Sequence, residues 1–180
     1  MQIIALSAQN KALVRQGAAL LEEAFPQSYR GEGMSEMQKL LSGERILLAA
    51  VEGGESGELL GLIGAIPQYG VTGWELHPLA VREGLRGRGI GSALVKALEA
   101  ECAKRGCLTI YLGTDDEEGK TSLSEGDLFE NTFEKLQNIV NLRRHPFEFY
   151  QKQGYQIVGV IPDANGLRKP DLYMAKRLRR

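Results

Sequence analysis

The apolar positions of this chain fall in short runs whose period changes along its length, and the changes mark its elements. Gln2 to Leu6 is a run of strand length. Leu13, Gly17, Leu20, Leu21 and Ala24 then recur at helical spacing until Pro26, which stops the helix. Met34, Met37, Leu40 and Leu41 predict a second, shorter helix. Arg45 to Val51 reads as a strand and Glu52 to Gly57 as a turn. Leu59 to Ile66 is the next strand, Pro67-Gln68-Tyr69-Gly70 another turn, and Thr72 to Arg82 a third strand. The period then becomes helical again. Ile90, Ala93, Leu94, Ala97, Leu98 and Cys102 share one face of a helix from Gly89 to Arg105, with Gly106 as its stop. Leu108 to Leu112 is a strand, so strand, helix and strand with short joints form a βαβ unit whose strands run parallel. Residues 114–144 make a long polar connection, helical in part around Leu128–Leu142. Pro146 opens a helix ending at Gly154, and Tyr155–Ile161 pairs with Leu172–Leu178 across Asp163-Ala164-Asn165-Gly166. The predicted order is β-αα-βββ-αβ-αββ. It describes an α/β (α+β) fold with helices on both faces of a mixed central sheet and a long insert after the fifth strand. No repeat, low-complexity tract or linker divides it, so one domain is expected over residues 1–180.

Charge narrows the partners. The chain has 180 residues with 22 Lys and Arg against 23 Asp and Glu, a net charge of −1. That balance argues against a nucleic-acid-binding domain and against a polybasic membrane-surface protein. No apolar run approaches the roughly 18 residues of a transmembrane helix, and the N-terminus lacks the basic stretch of a signal peptide. Cys102 and Cys107 are too few for a disulfide framework or a zinc cluster, so a reducing cytoplasm and no metal are expected. The charges are segregated, however. Asp115, Asp116, Glu117, Glu118, Glu125, Asp127, Glu130 and Glu134 face one base, Lys120, over residues 115–134. Arg168, Lys169, Lys176, Arg177, Arg179 and Arg180 face only Asp171 at the C-terminal end.

The sharpest motif is Arg86-Gly87-Arg88-Gly89-Ile90-Gly91, between a strand and an amphipathic helix. Glycines let backbone N–H groups approach an anion, the helix start adds unpaired donors and partial positive charge, and two arginines add more. These are the parts of a pyrophosphate site. The alternating glycines fit neither the Gly-x-Gly-x-x-Gly nor the Walker A spacing. The strand before the loop, Trp74-Glu75-Leu76-His77-Pro78-Leu79-Ala80-Val81, puts Glu75, His77, Leu79 and Val81 on one face. Pro78 lacks a ladder donor, so pairing is expected to be disturbed and the sheet splayed there. Backbone groups near the break become available to a ligand beside Glu75 and His77.

These residues resemble the GNAT superfamily of acyl-CoA-dependent N-acetyltransferases, whose anion loop reads Arg/Gln-x-x-Gly-x-Gly/Ala. The element order matches as well. Ile63-Gly64-Ala65-Ile66-Pro67-Gln68-Tyr69-Gly70, Gly73-Trp74-Glu75-Leu76-His77-Pro78-Leu79, Thr109-Ile110-Tyr111-Leu112-Gly113-Thr114-Asp115-Asp116, His145-Pro146-Phe147-Glu148-Phe149-Tyr150 and Lys169-Pro170-Asp171 extend the likeness to the small chromosomal type of aminoglycoside 6′-N-acetyltransferases over residues 62–178. The resemblance implies acetyl transfer from acetyl-CoA to a primary amine. It puts the CoA pyrophosphate on Arg86, Gly87, Arg88, Gly89, Ile90, Gly91 and Ser92, and the pantetheine arm along Leu79, Ala80 and Val81. It assigns the Leu79 N–H to the thioester oxygen, Glu75 to the general base acting through water, His77 to orientation or oxyanion support, and Tyr150 to the leaving thiolate. Trp74, Glu75, Asp115 and Asp116 are expected to meet the acceptor, since carboxylates gathered after the βαβ strand would hold a polycation. A homodimer is implied too.

One departure bears on the acceptor. After Ala164-Asn165-Gly166 the relatives carry an aromatic residue and an acid, where this chain has Leu167 and Arg168. A cation there repels a polycation. The alternatives are a polyamine, another basic metabolite or a protein amine as acceptor, and a non-catalytic acyl-CoA sensor, which would not need Glu75, His77 and Tyr150.

Overall fold

The computed structural model describes every residue except Glu55, Ser56, Arg179 and Arg180. The middle of the turn expected over Glu52–Gly57 and the last two arginines of the basic tail therefore lie outside the described residues. The chain forms two compact units, one of Met1–Ile110 with Leu178 and one of Tyr111–Arg177.

The first unit holds β1 (Gln2–Ala5), α1 (Lys11–Ala24), α2 (Pro26–Tyr29), α3 (Gly33–Leu40), β2 (Ile46–Glu52), β3 (Glu58–Tyr69), β4 (Gly73–Val81), α4 (Ile90–Lys104) and the first residues of β5 (Thr109–Asp115). Strands β1 to β4 are antiparallel neighbours in that order. The N–H groups of Leu108 and Thr109 both donate to the Thr72 carbonyl, at 2.9 and 3.0 Å. β5 thus starts beside the start of β4, as a βαβ crossover requires.

Strand β2 is buried on both faces because helices cover both. Leu47, Ala49 and Val51 join Leu62 and Ala80 in a core with Leu13, Val14, Leu20 and Leu21 of α1 and Met37 and Leu40 of α3. Leu94 of α4 lies on the other side, against Gly61 of β3. Asn10 caps α1 by accepting from the Leu13 N–H at 3.2 Å. Pro26 ends the run of α1 as expected, but it also opens the single turn of α2, where its missing N–H costs nothing.

The second unit holds the rest of β5, α5 (Thr132–Gln137), α6 (Phe147–Lys152), β6 (Gln156–Ile161) and β7 (Asp171–Arg177). β6 and β7 are antiparallel, and β7 lies next to β5. The strand order within this unit is β5-β7-β6.

Elements of both units differ from expectation. The turn predicted at Pro67–Gly70 is strand, since β3 runs to Tyr69. Pro67 pairs with Trp74 and Tyr69 with Gly73, so Gln68 is an extra residue in a bulge, where a proline is tolerated. The helix expected around Leu128–Leu142 shrinks to Thr132–Gln137, because the polar connection has no apolar stripe to extend it.

Candidate active site

The sequence places Glu75 and His77 two residues apart on β4, and the strand keeps them on one side. Glu75, His77, Leu79 and Val81 are half-buried, whereas Trp74, Leu76, Pro78 and Ala80 are buried. The irregularity expected at Pro78 is a β-bulge. Ile63 pairs with Leu79 and Ala65 with Leu76, so His77 and Pro78 together face Gly64 alone. The His77–Pro78 peptide bond is cis. Gly64 is what lets the strands close here. A Cβ on it would sit 2.4 Å from the His77 carbonyl oxygen.

Three further polar groups of the first unit surround this pair. The Tyr29 hydroxyl lies 3.0 Å from His77 Nε2. Glu36 Oε1 is 3.8 Å from the same nitrogen, and its Oε2 is 3.3 Å from the exposed Lys39 ammonium. Gln68 donates from Nε2 to Glu75 Oε2 at 2.7 Å. Burial, then the negative charges of Glu36 and Glu75, push the Tyr29 phenol up to about 12. Tyr29 therefore keeps its proton at neutral pH. Sequence reasoning missed Tyr29, Glu36 and Gln68. Only the bulge signature of Pro67-Gln68 could have pointed to the last of them.

The glycine loop leaves β4 through a 3₁₀ turn at Glu83–Leu85. Arg86 Nε donates back to the Val81 carbonyl at 3.3 Å. Gly87 and Gly89 take φ of 77° and 83°, a region that other residues enter at a cost, and a Cβ on either would point into open space. Gly89 is the N-cap of α4 and offers no side chain to the first-turn N–H groups, which suits an anion in that place. The loop from Arg86 to Gly89 is exposed. The residues present therefore fit a pyrophosphate.

In the second unit the two adjacent aspartates part company. Asp115 is exposed; its Oδ1 accepts from Asn165 Nδ2 and its carbonyl from His145 Nε2 at 3.1 Å. Asp116 is wholly buried. It accepts from the N–H of Lys120 (2.6 Å) and of Thr121 (2.8 Å), from Thr121 Oγ1 (2.7 Å) and from Ser124 Oγ (2.9 Å). Burial pushes this carboxyl up, but the four donors outweigh it and hold it below its ordinary value. Asp116 thus organises the acidic connection, and the expectation that it meets a substrate is corrected.

His145 is buried and pulled below its ordinary value by desolvation. Its Nδ1 accepts from the Phe147 N–H at 3.2 Å, which leaves Nε2 to donate to Asp115. Tyr150 is buried on α6, edge-on to Phe149 and Tyr155, and burial raises its phenol. Arg168 follows the turn that holds Asn165, and its N–H donates to Asp163 Oδ1 at 2.6 Å.

Trp74 is the second correction. It is 2% exposed, on the face opposite Glu75. Its indole N–H donates to the Val71 carbonyl at 3.0 Å, and the Arg105 guanidinium lies 5.8 Å from the ring centroid. It is a core residue rather than an acceptor contact. Among the described residues, no group of three His, Cys, Asp or Glu side chains is gathered to hold a metal ion. No helix there is long and apolar enough to cross a membrane.

Known proteins resemble the chain as a whole. The sequence profile of the acetyltransferase (GNAT) family matches residues 15–123. A crystal structure of an aminoglycoside 6′-N-acetyltransferase complexed with coenzyme A is 50% identical, covering 100% of this chain and 98% of that one, with a TM-score of 0.96. The aminoglycoside 6′-N-acetyltransferase from Enterococcus faecium is 49% identical over 100% and 98% of the two chains, with a TM-score of 0.94. An aminoglycoside 6′-acetyltransferase of type Ii is 43% identical over 100% and 99%, with a TM-score of 0.79. No curated protein sequence matches the chain.

Proposed function

The chain belongs to the acetyltransferase (GNAT) family, and from that premise we propose that it moves the acetyl group of acetyl-CoA to a primary amine of a small polycation, the 6′-amine of an aminoglycoside. The observation that carries this reading is the full-length identity of 50% and 49% with two aminoglycoside 6′-N-acetyltransferases, one of them holding coenzyme A. Acetyl-CoA supplies an activated thioester; the chain supplies binding, orientation and proton transfer.

Each residue then has a task. Arg86, Arg88 and the backbone from Gly87 to Ser92 hold the pyrophosphate, and Leu79, Ala80 and Val81 align the pantetheine arm in strand fashion. Glu75 removes a proton from the acceptor ammonium through a water, which frees the lone pair for attack on the thioester carbon. The Leu79 N–H donates to the carbonyl oxygen as negative charge develops on it, and His77 supports that charge or orients the amine. A C–N bond forms, the C–S bond breaks, and Tyr150 protonates or hydrogen-bonds the departing thiolate. This last role rests on the resemblance of His145-Pro146-Phe147-Glu148-Phe149-Tyr150 to the family motif, and the raised phenol keeps the proton it needs. Asp115, exposed at the end of β5, attracts the polycation.

A second acceptor class, a polyamine or another basic metabolite, is favoured by Arg168, a cation just beyond the turn whose Asn165 is bonded to Asp115. The family resemblance also supports a homodimer acting in the cytoplasm.

The test is acetyl-CoA-dependent thiol release with kanamycin-type drugs, polyamines and basic peptides in parallel, together with Glu75→Ala and Tyr150→Phe. Turnover of the drugs with kcat reduced at least 100-fold in Glu75→Ala is expected. Wild-type rates in both variants would remove these two assignments. Turnover of polyamines alone would move the conclusion to the second acceptor class.

A further inference from the structure

His77 is held from outside its own strand. Its Nε2 meets the Tyr29 hydroxyl of α2 at 3.0 Å and lies 3.8 Å from Glu36 Oε1 of α3. These contacts bring α2 and α3 onto the strand that carries Glu75. The chemistry of the pair is complementary. A phenol that stays protonated can donate to a bare Nε2 or accept from an Nε2–H, so it holds the ring in either tautomer. Glu36, whose side chain is 12% exposed, faces the same nitrogen from α3. Lys39 engages its other oxygen from the solvent side. Glu75 is the other charged group that acts on Tyr29.

We propose that Tyr29 and Glu36 are positioning residues of the acetyl-transfer site: they grip the His77 imidazole at Nε2 and fix its place on β4. The inference rests on the acetyl-transfer reading above, which puts His77 in the machinery. It goes beyond that reading by making the segment after α1 part of the catalytic apparatus rather than a cover for the core. Neither residue acts on the acetyl group; both act through His77.

A double-mutant cycle tests this. Tyr29→Phe, Glu36→Gln and His77→Ala are made singly, and the first two are also combined with the third. The readouts are kcat and KM for acetyl-CoA in the thiol-release assay, with Tm as a check on folding. Tyr29→Phe and Glu36→Gln are each expected to lower kcat about 2- to 10-fold, the worth of one hydrogen bond or close charge contact. KM for acetyl-CoA should stay within about twofold, below what loss of even one such contact to the cofactor would cause. In the His77→Ala background the same changes should leave kcat unaltered, since their target is gone. A merely structural role lowers kcat equally in both backgrounds and overturns the inference, as does wild-type kcat in both single variants when His77→Ala is impaired. Wild-type kcat in His77→Ala instead overturns the role given to His77 in the proposed function.

Ring ¹⁵N spectra supply a measurement that does not depend on turnover. The chain has only two histidines, so the signals are readily assigned. Tyr29→Phe should shift the Nδ1 and Nε2 resonances of His77 and leave those of His145 in place. Unchanged His77 resonances in a folded variant also overturn the inference.

Discussion

Gly64→Ala is the sharpest test of how the β4 bulge builds the site. The added Cβ would lie 2.4 Å from the His77 carbonyl oxygen, 3.3 Å from the carbonyl carbon and 3.3 Å from the Ile46 carbonyl oxygen. Carbon and carbonyl oxygen ordinarily approach to about 3.3–3.6 Å, so one strand must retreat by about 0.9 Å. Neither obstacle is the end of a flexible side chain; both are backbone of paired strands. Overpacking of this kind costs about 1–3 kcal/mol, which lowers Tm by about 2–12 °C in a chain of this size. The larger effect should be on turnover, because the displaced group is the backbone of His77. A misplacement near 1 Å costs about 100-fold in rate. Gly159→Ala is the control, since a Cβ there meets nothing within 4 Å and its φ is not in the left-handed region. Thermal unfolding and kcat/KM for acetyl-CoA decide the matter. Wild-type Tm and wild-type kcat/KM in Gly64→Ala would refute the claim that close approach at Gly64 shapes the site.

Four further outcomes follow from other parts of the chain. Gly89→Ala forces a side chain into φ of 83° at the start of α4, a strain of about 1–2 kcal/mol; KM for acetyl-CoA should rise about 5- to 30-fold in steady-state kinetics. Asp116→Ala strands the N–H groups of Lys120 and Thr121 inside the acidic connection and should cost about 2–5 kcal/mol by urea unfolding. Asp116 is held below its ordinary 3.8 in the fold, so its contribution is complete above that value and is lost as pH falls through the folded one; Asp116→Asn should flatten the acid limb of a stability profile there. His145 is held below its ordinary 6.5, so the unfolded chain takes a proton first and stability falls as pH drops below 6.5; His145→Gln should remove that slope in thermal unfolding between pH 8 and 5.

The parts of the fold that were legible in the sequence are those where local pattern and tertiary need agree. β2 is an unbroken apolar run because helices cover both of its faces. α4 combines a helical stripe, Gly89 at its start and Gly106 at φ of 91° beyond its end, so three independent signals mark it. Pro67 misled because the bulge at Gln68 relieves the ladder that a proline would otherwise break. The site divides in the same way. Glu75, His77 and the glycine loop sit within one short stretch of chain, where spacing alone brings them together. Tyr29 reaches His77 across 48 positions, and no period in the sequence connects α2 to β4.

The two aspartates at the end of β5 show why a count of charges misjudges a site. As a run, Asp115, Asp116, Glu117 and Glu118 look equivalent, and all would attract a cation. Yet β5 continues to Asp115, and its alternation holds through the last residues: Leu112 and Thr114 are buried, Gly113 and Asp115 exposed. Carried one step further, the same period turns Asp116 inward. Thr121 and Ser124 then meet it with hydroxyls that a solvent-facing carboxylate would not need. A buried carboxylate whose oxygens are taken up by four donors offers no contact to a substrate, so its work is to hold the connection together. The strand period thus tells which carboxylate is available, once the end of the strand is placed correctly. Extending the predicted strand from Leu112 to Asp115 would have separated the two roles from sequence alone.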